Sequence, residues 1–514
     1  MIALDHRIPR TWRLSDLLAG FAATPFESEL RVDRITLDSR EVGPGALFLA
    51  CRGTRRHGLS YAEHAAECGC AAIVAEPDER WGETDLARLS AELALPVVAV
   101  AQLSRRAAEI AARFFGNPSA DMAVIGITGT NGKTSVSHFL AQALAVDLRC
   151  AMIGTLGSGF PGELTSTRLT TPDAVDLQES LAVLRDQGAG LVAMEVSSHA
   201  LDHCRVGAVH FSHAVFTNLS RDHLDCHGDM DNYAAAKRRL FRLQGLRWAV
   251  INHDEEASDE IVAGLAPSVR VARFSLDSNA DLAANADLWV RARELAPLPH
   301  GLRVFVETSV GDGELDSALI GSFSAANLLA VLAVLLSRGV RLDIALERLG
   351  RLRSVPGRME CFGGDDAPLV VVDYAHTPDA LEKAISHLRL HCESRLLTVF
   401  GCGGQRDKGK RPLMGAIAEQ LSDEVIVTDD NPRREDGDAI CAQILAGMAV
   451  PDRAVVERQR ALAIRRAIAL AGPGDAVLVA GKGHEAVQDM GELKVHFSDR
   501  AQVVQALIEW RGRV

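Results

Sequence analysis

The chain has 514 residues, of which 47% are hydrophobic and 24% charged, and a net charge of −13. That length is too great for one core and implies about three domains of ordinary globular make-up, while the acidic balance excludes a nucleic-acid surface and leaves any anionic ligand to local clusters of positive charge. The most apolar run, 325–336, is too short to cross a bilayer, and ten Cys without a C-x-x-C pair argue against a zinc site or a disulfide framework, so a cytoplasmic protein with reduced thiols is expected.

Residues 1–103 read as a small α/β domain, with apolar runs at 46–50 and 71–75 and a helix around 61–67. They contain Leu37 and Ser39, and the basic loop 52–57, whose hydroxyl and guanidinium groups suit a diphosphate.

Residues 104–354 read as a series of βα units, a mostly parallel sheet with helices on both faces. The chain is organised around 124–134, where an apolar strand runs into a glycine-rich turn and Lys133-Thr134 opens a helix with Val136, Phe139, Leu140, Ala143 and Leu144 at helical spacing. Gly129, Thr130, Asn131, Gly132, Lys133, Thr134 and Ser135 form a phosphate cradle. Unpaired N–H groups and the helix dipole favour phosphate oxygens, Lys133 reaches the outer phosphates, and the Thr134 hydroxyl is a ligand for Mg²⁺. The general pattern G-x-x-x-x-G-K-[ST] wants glycine where Ile127 stands, and the glycines are at 126 and 129 instead. Further on, Thr170-Thr171-Pro172 lies in a loop, a buried strand delivers Glu195 at its end just before Ser197, and a second strand ends in 218–228, where Asp and His residues crowd together around His223. A helix over 233–243 carries Lys237, and 282–316 is strand-like without a clear assignment.

Residues 355–514 read as a second α/β unit after a Pro-Gly hinge that ends in Arg358. Strands are expected at 369–373, 396–400, 424–428 and 476–480, each ending in a polar loop: 373–378, 401–408, 429–433 and 481–485. Equivalent strand ends bring four such loops to one crevice. Only seven of the 55 basic side chains are lysines, and five of these (Lys133, Lys237, Lys408, Lys410, Lys482) fall inside these motifs, where a compact ammonium or a neutral amine has a use that arginine does not.

Taken singly, each of these strings is an ordinary turn. Taken in order, GTNGKT, TTP, EVSSHAL, NLSRDHLDCHG, DYAHTPD, GCGGQRDKGKRP and GKGHE resemble the Mur ligases over essentially the whole length. The resemblance is strongest to the members that add the third residue, meso-diaminopimelate, to UDP-N-acetylmuramoyl-L-alanyl-D-glutamate. It implies an uridine-nucleotide domain (1–103), an ATPase domain (104–354) and an amino-acid domain (355–514), and an ATP-dependent amide ligation through an acyl phosphate. By resemblance Lys133 and Thr134 hold ATP-Mg²⁺, and Glu195, His223 and a carbamylated Lys237 complete the metal and catalytic set. Asn327 meets the adenine and Arg358 the phosphates. Leu37, Ser39, Thr170, Thr171, Ser197, His203 and Arg205 match uridine-substrate positions, and Arg406, Asp430, Asn431, Pro432, Arg433, Gly481 and Glu485 the amino-acid pocket. The chain departs from the pattern at His203, where a Gln is common, and at Gln405, where an Asp is usual. A monomer is expected. The alternatives are a lysine-adding ligase, a folylpolyglutamate synthetase-like ligase, or an ATP-gated binding module without catalysis.

Overall fold

Arg34–Thr36, Ala46–Ala50, Ala72–Ala75 and Val97–Ala99 lie side by side in that order and all run parallel. Ala46–Ala50 and Ala72–Ala75 are buried at every position. A parallel strand is covered on both faces, so these segments read as continuous apolar runs rather than as an alternation. Leu103, Ala107, Ile110 and Ala111 of the helix Leu103–Phe114 join Leu47 and Leu49 in one core, while Leu59, Ala62, Leu86 and Leu89 pack with Phe48 in another. The structure is a computed structural model that describes residues 11–22, 29–53, 56–222, 224–298 and 301–512.

The phosphate loop belongs to a larger sheet, in which Cys150–Gly154, Leu191–Glu195, Ala123–Thr128, Phe211–Phe216 and Trp248–Asn252 are neighbours in that order and all parallel. A hairpin, Gly157–Phe160 and Glu163–Thr165, adds two antiparallel strands beyond Cys150–Gly154. Ala123–Thr128 sits between Leu191–Glu195 and Phe211–Phe216, so the loop after Thr128, the carboxylate of Glu195 and the segment from Thr217 all emerge at the same end of the sheet. The helix Lys133–Leu144 buries Val136, Phe139, Leu140, Ala143 and Leu144, the stripe read from the sequence.

The stretch left unassigned is an antiparallel meander of Leu288–Leu298, Gly301–Thr308 and Gly311–Ser317. Its alternation is broken by a register shift between Ala292 and Glu294, which is why the sequence period of two was hidden. The helix Ser322–Ser337 that follows is buried from Leu328 to Leu336. In the last part of the chain the strand order is Glu360–Gly363, Leu369–Asp373, Ala476–Ala480, Leu396–Phe400, Glu424–Val427 and Val455–Val456, with only the first antiparallel. The four expected strands are present, and their loops leave from one edge.

By packing, the chain divides into two compact units, 1–273 with 285–287, and 274–284 with 288–514. The residues read as one middle domain are thereby shared: the phosphate loop and its parallel strands belong to the first unit, the meander and the apolar helix to the second. Among the described residues no helix is long and apolar enough to cross a membrane.

Candidate active site

In the first unit the turn from strand to helix is held open by contacts from the neighbouring strand end. Gly129 has φ +149°, and a Cβ there would lie 1.9 Å from Thr217 Oγ1, so the position tolerates only glycine. Thr217 Oγ1 donates to the Asn131 carbonyl at 2.6 Å, and Asn218 Oδ1 accepts from the Asn131 N–H at 2.8 Å. Gly132 (φ +85°) caps the helix, and Lys133 Nζ donates to the carbonyls of Gly129 at 2.9 Å and Thr130 at 2.8 Å. Thr134 Oγ1 donates to Glu195 Oε2 at 2.9 Å. Glu195 is 1% exposed, and its other oxygen accepts from the Thr155 N–H at 2.8 Å. A buried carboxylate beside a hydroxyl is a hard oxygen donor set of the kind Mg²⁺ takes, with room left for waters and phosphate oxygens. Ser135 is half-buried on the first turn of the same helix.

Lys237 reaches this loop from the helix Met230–Arg238. Its Nζ donates to the Gly129 carbonyl at 2.7 Å, lies 4.3 Å from the centroid of the Tyr233 ring, and the residue is 2% exposed. Burial, with the Lys133 charge adding to it, pushes its amine well below the ordinary lysine value. Burial also pushes the Tyr233 phenol up to about 12, and its hydroxyl lies 3.2 Å from Thr130 Oγ1. His223 lies outside the described residues.

Sequence reasoning missed what holds the short helix Leu224–His227 next to it. His227 Nε2 is 3.0 Å from Ser198 Oγ, and its Nδ1 is 3.0 Å from Asp202 Oδ2. The order Ser-His-Asp is that of a hydrolase triad, but Ser198 is 2% exposed and closed to substrate. It ties the two helices together.

Asp202 also borders a cavity of about 310 Å³ lined by Leu37, Arg52, Ser104, Asp173, His203 and Arg205. Three of the expected uridine-substrate residues, Leu37, His203 and Arg205, therefore come together. Thr171 stands behind them: its carbonyl accepts from Arg205 Nη1 at 3.2 Å, and its hydroxyl donates to the Glu195 carbonyl at 2.9 Å and accepts from the Ser197 N–H at 3.0 Å. Thr170 Oγ1 is 3.1 Å from Thr155 Oγ1, on the Glu195 side, and Ser39 opens the short helical turn Ser39–Glu41 without lining the cavity. Burial pushes the Arg205 guanidinium down, with Asp173 opposing. Burial and the charge of Arg205 also push His203 down, so the imidazole is neutral near pH 7 and offers one donor and one acceptor, as the amide of a Gln would. Arg52 opens the basic loop expected to suit a diphosphate, whereas Ser104 carried no motif of its own. Their backbone N–H groups meet on Glu76 Oε2 at 3.1 and 3.0 Å, a pairing between residues far apart in the chain.

In the second unit the loops at the strand ends interlock. Arg433 adopts φ +53° with its N–H donating to the Asp489 carbonyl at 2.9 Å, and its Nη1 donates to the Gly404 carbonyl at 2.8 Å. The Gly404 N–H in turn donates to the Asn431 carbonyl at 2.9 Å, and a Cβ at Gly404 would lie 1.9 Å from the Pro432 carbonyl. Arg411, wholly buried, donates to both oxygens of Glu435 at 2.7 and 2.9 Å and clamps the two loops. Gln405 (φ +52°) serves this clamp through its backbone, its N–H donating to Glu435 Oε2 at 2.9 Å. Arg406 is exposed on the same loop, and a Cβ at Gly403 would lie 3.0 Å from Arg433 Nη1 and 3.5 Å from the Arg406 side chain, so the two guanidinium-bearing residues share one neighbourhood. Gly481 (φ +119°) leaves space beside the Asp430 carboxylate, 3.4 Å from the Cβ it lacks. Asn431 Nδ2 donates to Glu485 Oε2 at 2.8 Å. Arg358 stacks over Tyr374 at 4.7 Å with a buried Nε that has no hydrogen-bond partner among the described residues, and Asn327 is 6% exposed in the helix Ser322–Ser337.

Three family descriptions match the chain: "Mur ligase family, catalytic domain" over 31–115, "Mur ligase middle domain" over 127–335 and "Mur ligase, glutamate ligase domain" over 357–483. The UDP-N-acetylmuramoyl-L-alanyl-D-glutamate--2,6-diaminopimelate ligase of Alkalilimnicola ehrlichii is 49% identical over 502 residues, covering 97% of this chain and 99% of the relative. The protein of the same name from Pseudomonas aeruginosa is 48% identical over 486 residues, covering 94% and 96%. A solved structure of a ligase of that name superposes with a TM-score of 0.70 at 33% identity, covering 98% of this chain and 99% of its own. With both the site geometry and near full-length identity in agreement, the chain belongs to the Mur ligase family.

Proposed function

We propose that the protein joins meso-diaminopimelate to UDP-N-acetylmuramoyl-L-alanyl-D-glutamate, with ATP cleaved to ADP and phosphate. It is an ATP-dependent amide ligase of peptidoglycan precursor synthesis. The observation that carries the reading is the turn 129–135, where Lys133 and Thr134 open a helix and Thr134 meets the buried Glu195 at 2.9 Å. A carboxylate is a poor electrophile and must first be activated. The substrate carboxylate attacks the terminal phosphorus of ATP and releases ADP. The amine of the second substrate then attacks the acyl phosphate carbon, loses a proton and expels phosphate.

The N–H groups of the turn and Lys133 hold the phosphates during the first step. Thr134, Glu195, His223 and the carbamate of Lys237 would hold Mg²⁺, which supplies charge neutralisation for phosphoryl transfer. The amine of Lys237, whose neutral form burial favours, adds CO₂ and loses a proton to give that carbamate. Asn327 meets the adenine and Arg358 the phosphates. Leu37, Ser39, Thr170, Thr171, Ser197, His203 and Arg205 take the uridine substrate. Arg433 binds the second carboxylate of diaminopimelate through its guanidinium fork, Asp430 and Glu485 take the ammonium beside it, and Arg406, Asn431, Pro432 and Gly481 complete the pocket. The protein works as a monomer in the cytoplasm.

The test is ADP release with the uridine dipeptide substrate and a panel of amino acids. A strong preference for meso-diaminopimelate over lysine is expected, on the order of 10⁴ in kcat/KM, because lysine lacks the second carboxylate that the half-buried Arg433 guanidinium would bind. Arg433→Ala should lose at least about a hundredfold on diaminopimelate together with most of that preference. Equal kcat/KM for the two amino acids in the native enzyme would assign it to the lysine-adding ligases. ADP release without any amide product would assign it to the binding modules.

A further inference from the structure

Lys482 has no exposed surface, which an ammonium tolerates only when fully compensated. Its Nζ donates to Asn431 Oδ1 at 2.9 Å, to Glu485 Oε2 at 2.8 Å and to the Val487 carbonyl at 2.8 Å. An ammonium has three donors and no acceptor, so nothing is left with which to touch a ligand. Each contact instead fixes another group. Asn431 Oδ1 also accepts from the Asp489 N–H at 2.9 Å, so the amide can face only one way, with Nδ2 donating to Glu485 Oε2 at 2.8 Å. Both hydrogen bonds to the Glu485 carboxylate therefore fall on Oε2, and among the described residues Oε1 has none.

The charges point the same way. Asp430 Oδ1 lies 3.9 Å from Lys482 Nζ and has no hydrogen-bond partner among the described residues, although the residue is only 7% exposed. Behind it Arg460 and Asp499, both nearly or wholly buried, form a two-bond ion pair at 2.7 Å. Asp430, Glu485 and Asp499 set against Lys482 and Arg460 leave one negative charge around Asp430. Burial pushes the Asp430 carboxyl up while Arg460 and Lys482 oppose it. Burial would also push Glu485 up, but the hydrogen bonds from Lys482 and Asn431 hold it below the usual carboxylate range. Tyr374 and His376 face Asp430 from the loop after Asp373, and His484 adjoins Glu485.

We propose that Lys482 is a positioning residue of the amino-acid pocket, an internal counter-cation that aims Asn431 and Glu485 and leaves a single carboxylate charge for a single substrate ammonium. This rests on the reading of Asp430 and Glu485 as the amino-acid site. It gives Asn431 a second task, as a strut for Glu485, beside its place in the pocket.

The experiment is steady-state kinetics of the full-length enzyme and of Lys482→Met, a neutral side chain of similar length. KM for the amino acid should rise about 30-fold, with KM for ATP and for the uridine substrate within about twofold of native. The acid limb of kcat/KM for the amino acid should also move to higher pH, because both carboxylates lose a neighbouring positive charge. A purely structural role would lower kcat through the active fraction and leave KM and the pH limb in place, and that result overturns the proposal. The double variant Lys482→Met/Glu485→Gln restores the native net charge and removes both members of the ion pair, so it is available even if the single variant fails to fold. Its KM should stay high while its acid limb returns to the native position, and an acid limb displaced from the native one overturns the proposal. Native turnover on meso-diaminopimelate is measured first. If the native enzyme uses a different amino acid, the specificity reading fails, and the variants are compared on the amino acid it does use.

Discussion

Lys237 shows how a single side chain can be costly to the fold while serving the chemistry proposed for it. Its amine is buried beside Lys133, on a carbonyl that both lysines share. In the unfolded chain it binds a proton below the ordinary value of 10.5, whereas in the folded chain it stays neutral down to its lowered value. The unfolded state therefore holds more protons across that window, so stability falls as pH falls through it, and above 10.5 the penalty is absent. Lys237→Met removes the penalty without stranding the Gly129 carbonyl, which keeps Lys133. In CO₂-free buffer near pH 7 this variant should melt about 1–3 °C higher than the native protein while losing ligase activity, and the gain should shrink as the pH approaches 10.5. A lower melting temperature in the variant would mean that the native amine is charged and paired. Adding bicarbonate should raise the melting temperature of the native protein and leave the variant unchanged.

At the scale of elements, the active end of the parallel sheet depends on close approach between turns that follow different strands. The Gly129 turn and the Thr217 turn touch so closely that a single methyl group has no room. Gly129→Ala combines this clash with an unfavourable φ, and Thr217 cannot yield without losing its hydrogen bond to the Asn131 carbonyl. A loss of about 2–4 kcal/mol by denaturant titration, with loss of ATP binding, is expected. Gly339→Ala is the control. It too has positive φ (+83°), but nothing lies within 4 Å of the added Cβ. It should cost about 1 kcal/mol, with ATP binding kept. Equal costs at the two positions would show that φ alone, and not the approach of the turns, sets the requirement.

For the molecule as a whole, the separate cores matter most. The first unit has cores centred on Leu47 and Leu49 and on Val192 and Met194, and the second has cores on both faces of the sheet that contains Leu396–Phe400. Chains of this size built on separate cores do not unfold in one two-state step. Calorimetry should resolve more than one transition. The uridine dipeptide substrate should raise the transition of the first unit, which contains the whole cavity lining from Leu37 to Arg205, by an amount that grows with ligand concentration. Meso-diaminopimelate should act on the other transition, because Asp430, Arg433 and Glu485 all belong to the second unit. A single transition moved equally by either ligand would contradict this.

What the sequence by itself determined is local in origin. The strands 369–373, 396–400 and 476–480, the stripe of the helix after Lys133, and the glycine-rich turn each follow from spacings within about a dozen residues, and they were legible because period and turn chemistry act at that range. The ordered set of motifs was enough to point to the family. The meander over 288–317 was not legible, because a bulge shifts its register and half of its face is exposed. Tertiary structure alone decided which polar residues keep their charge. The Lys237 amine is pushed well below its ordinary value only because burial and the charge of Lys133, far off in the chain, meet at it. Arg52 and Ser104, far apart in the chain, line the same cavity with their N–H groups joined on Glu76. Lys482 becomes an internal counter-cation only because Asn431, 51 positions earlier, closes over it. Burial and electrostatic pairing depend on residues far apart in the chain, and no local pattern carries them.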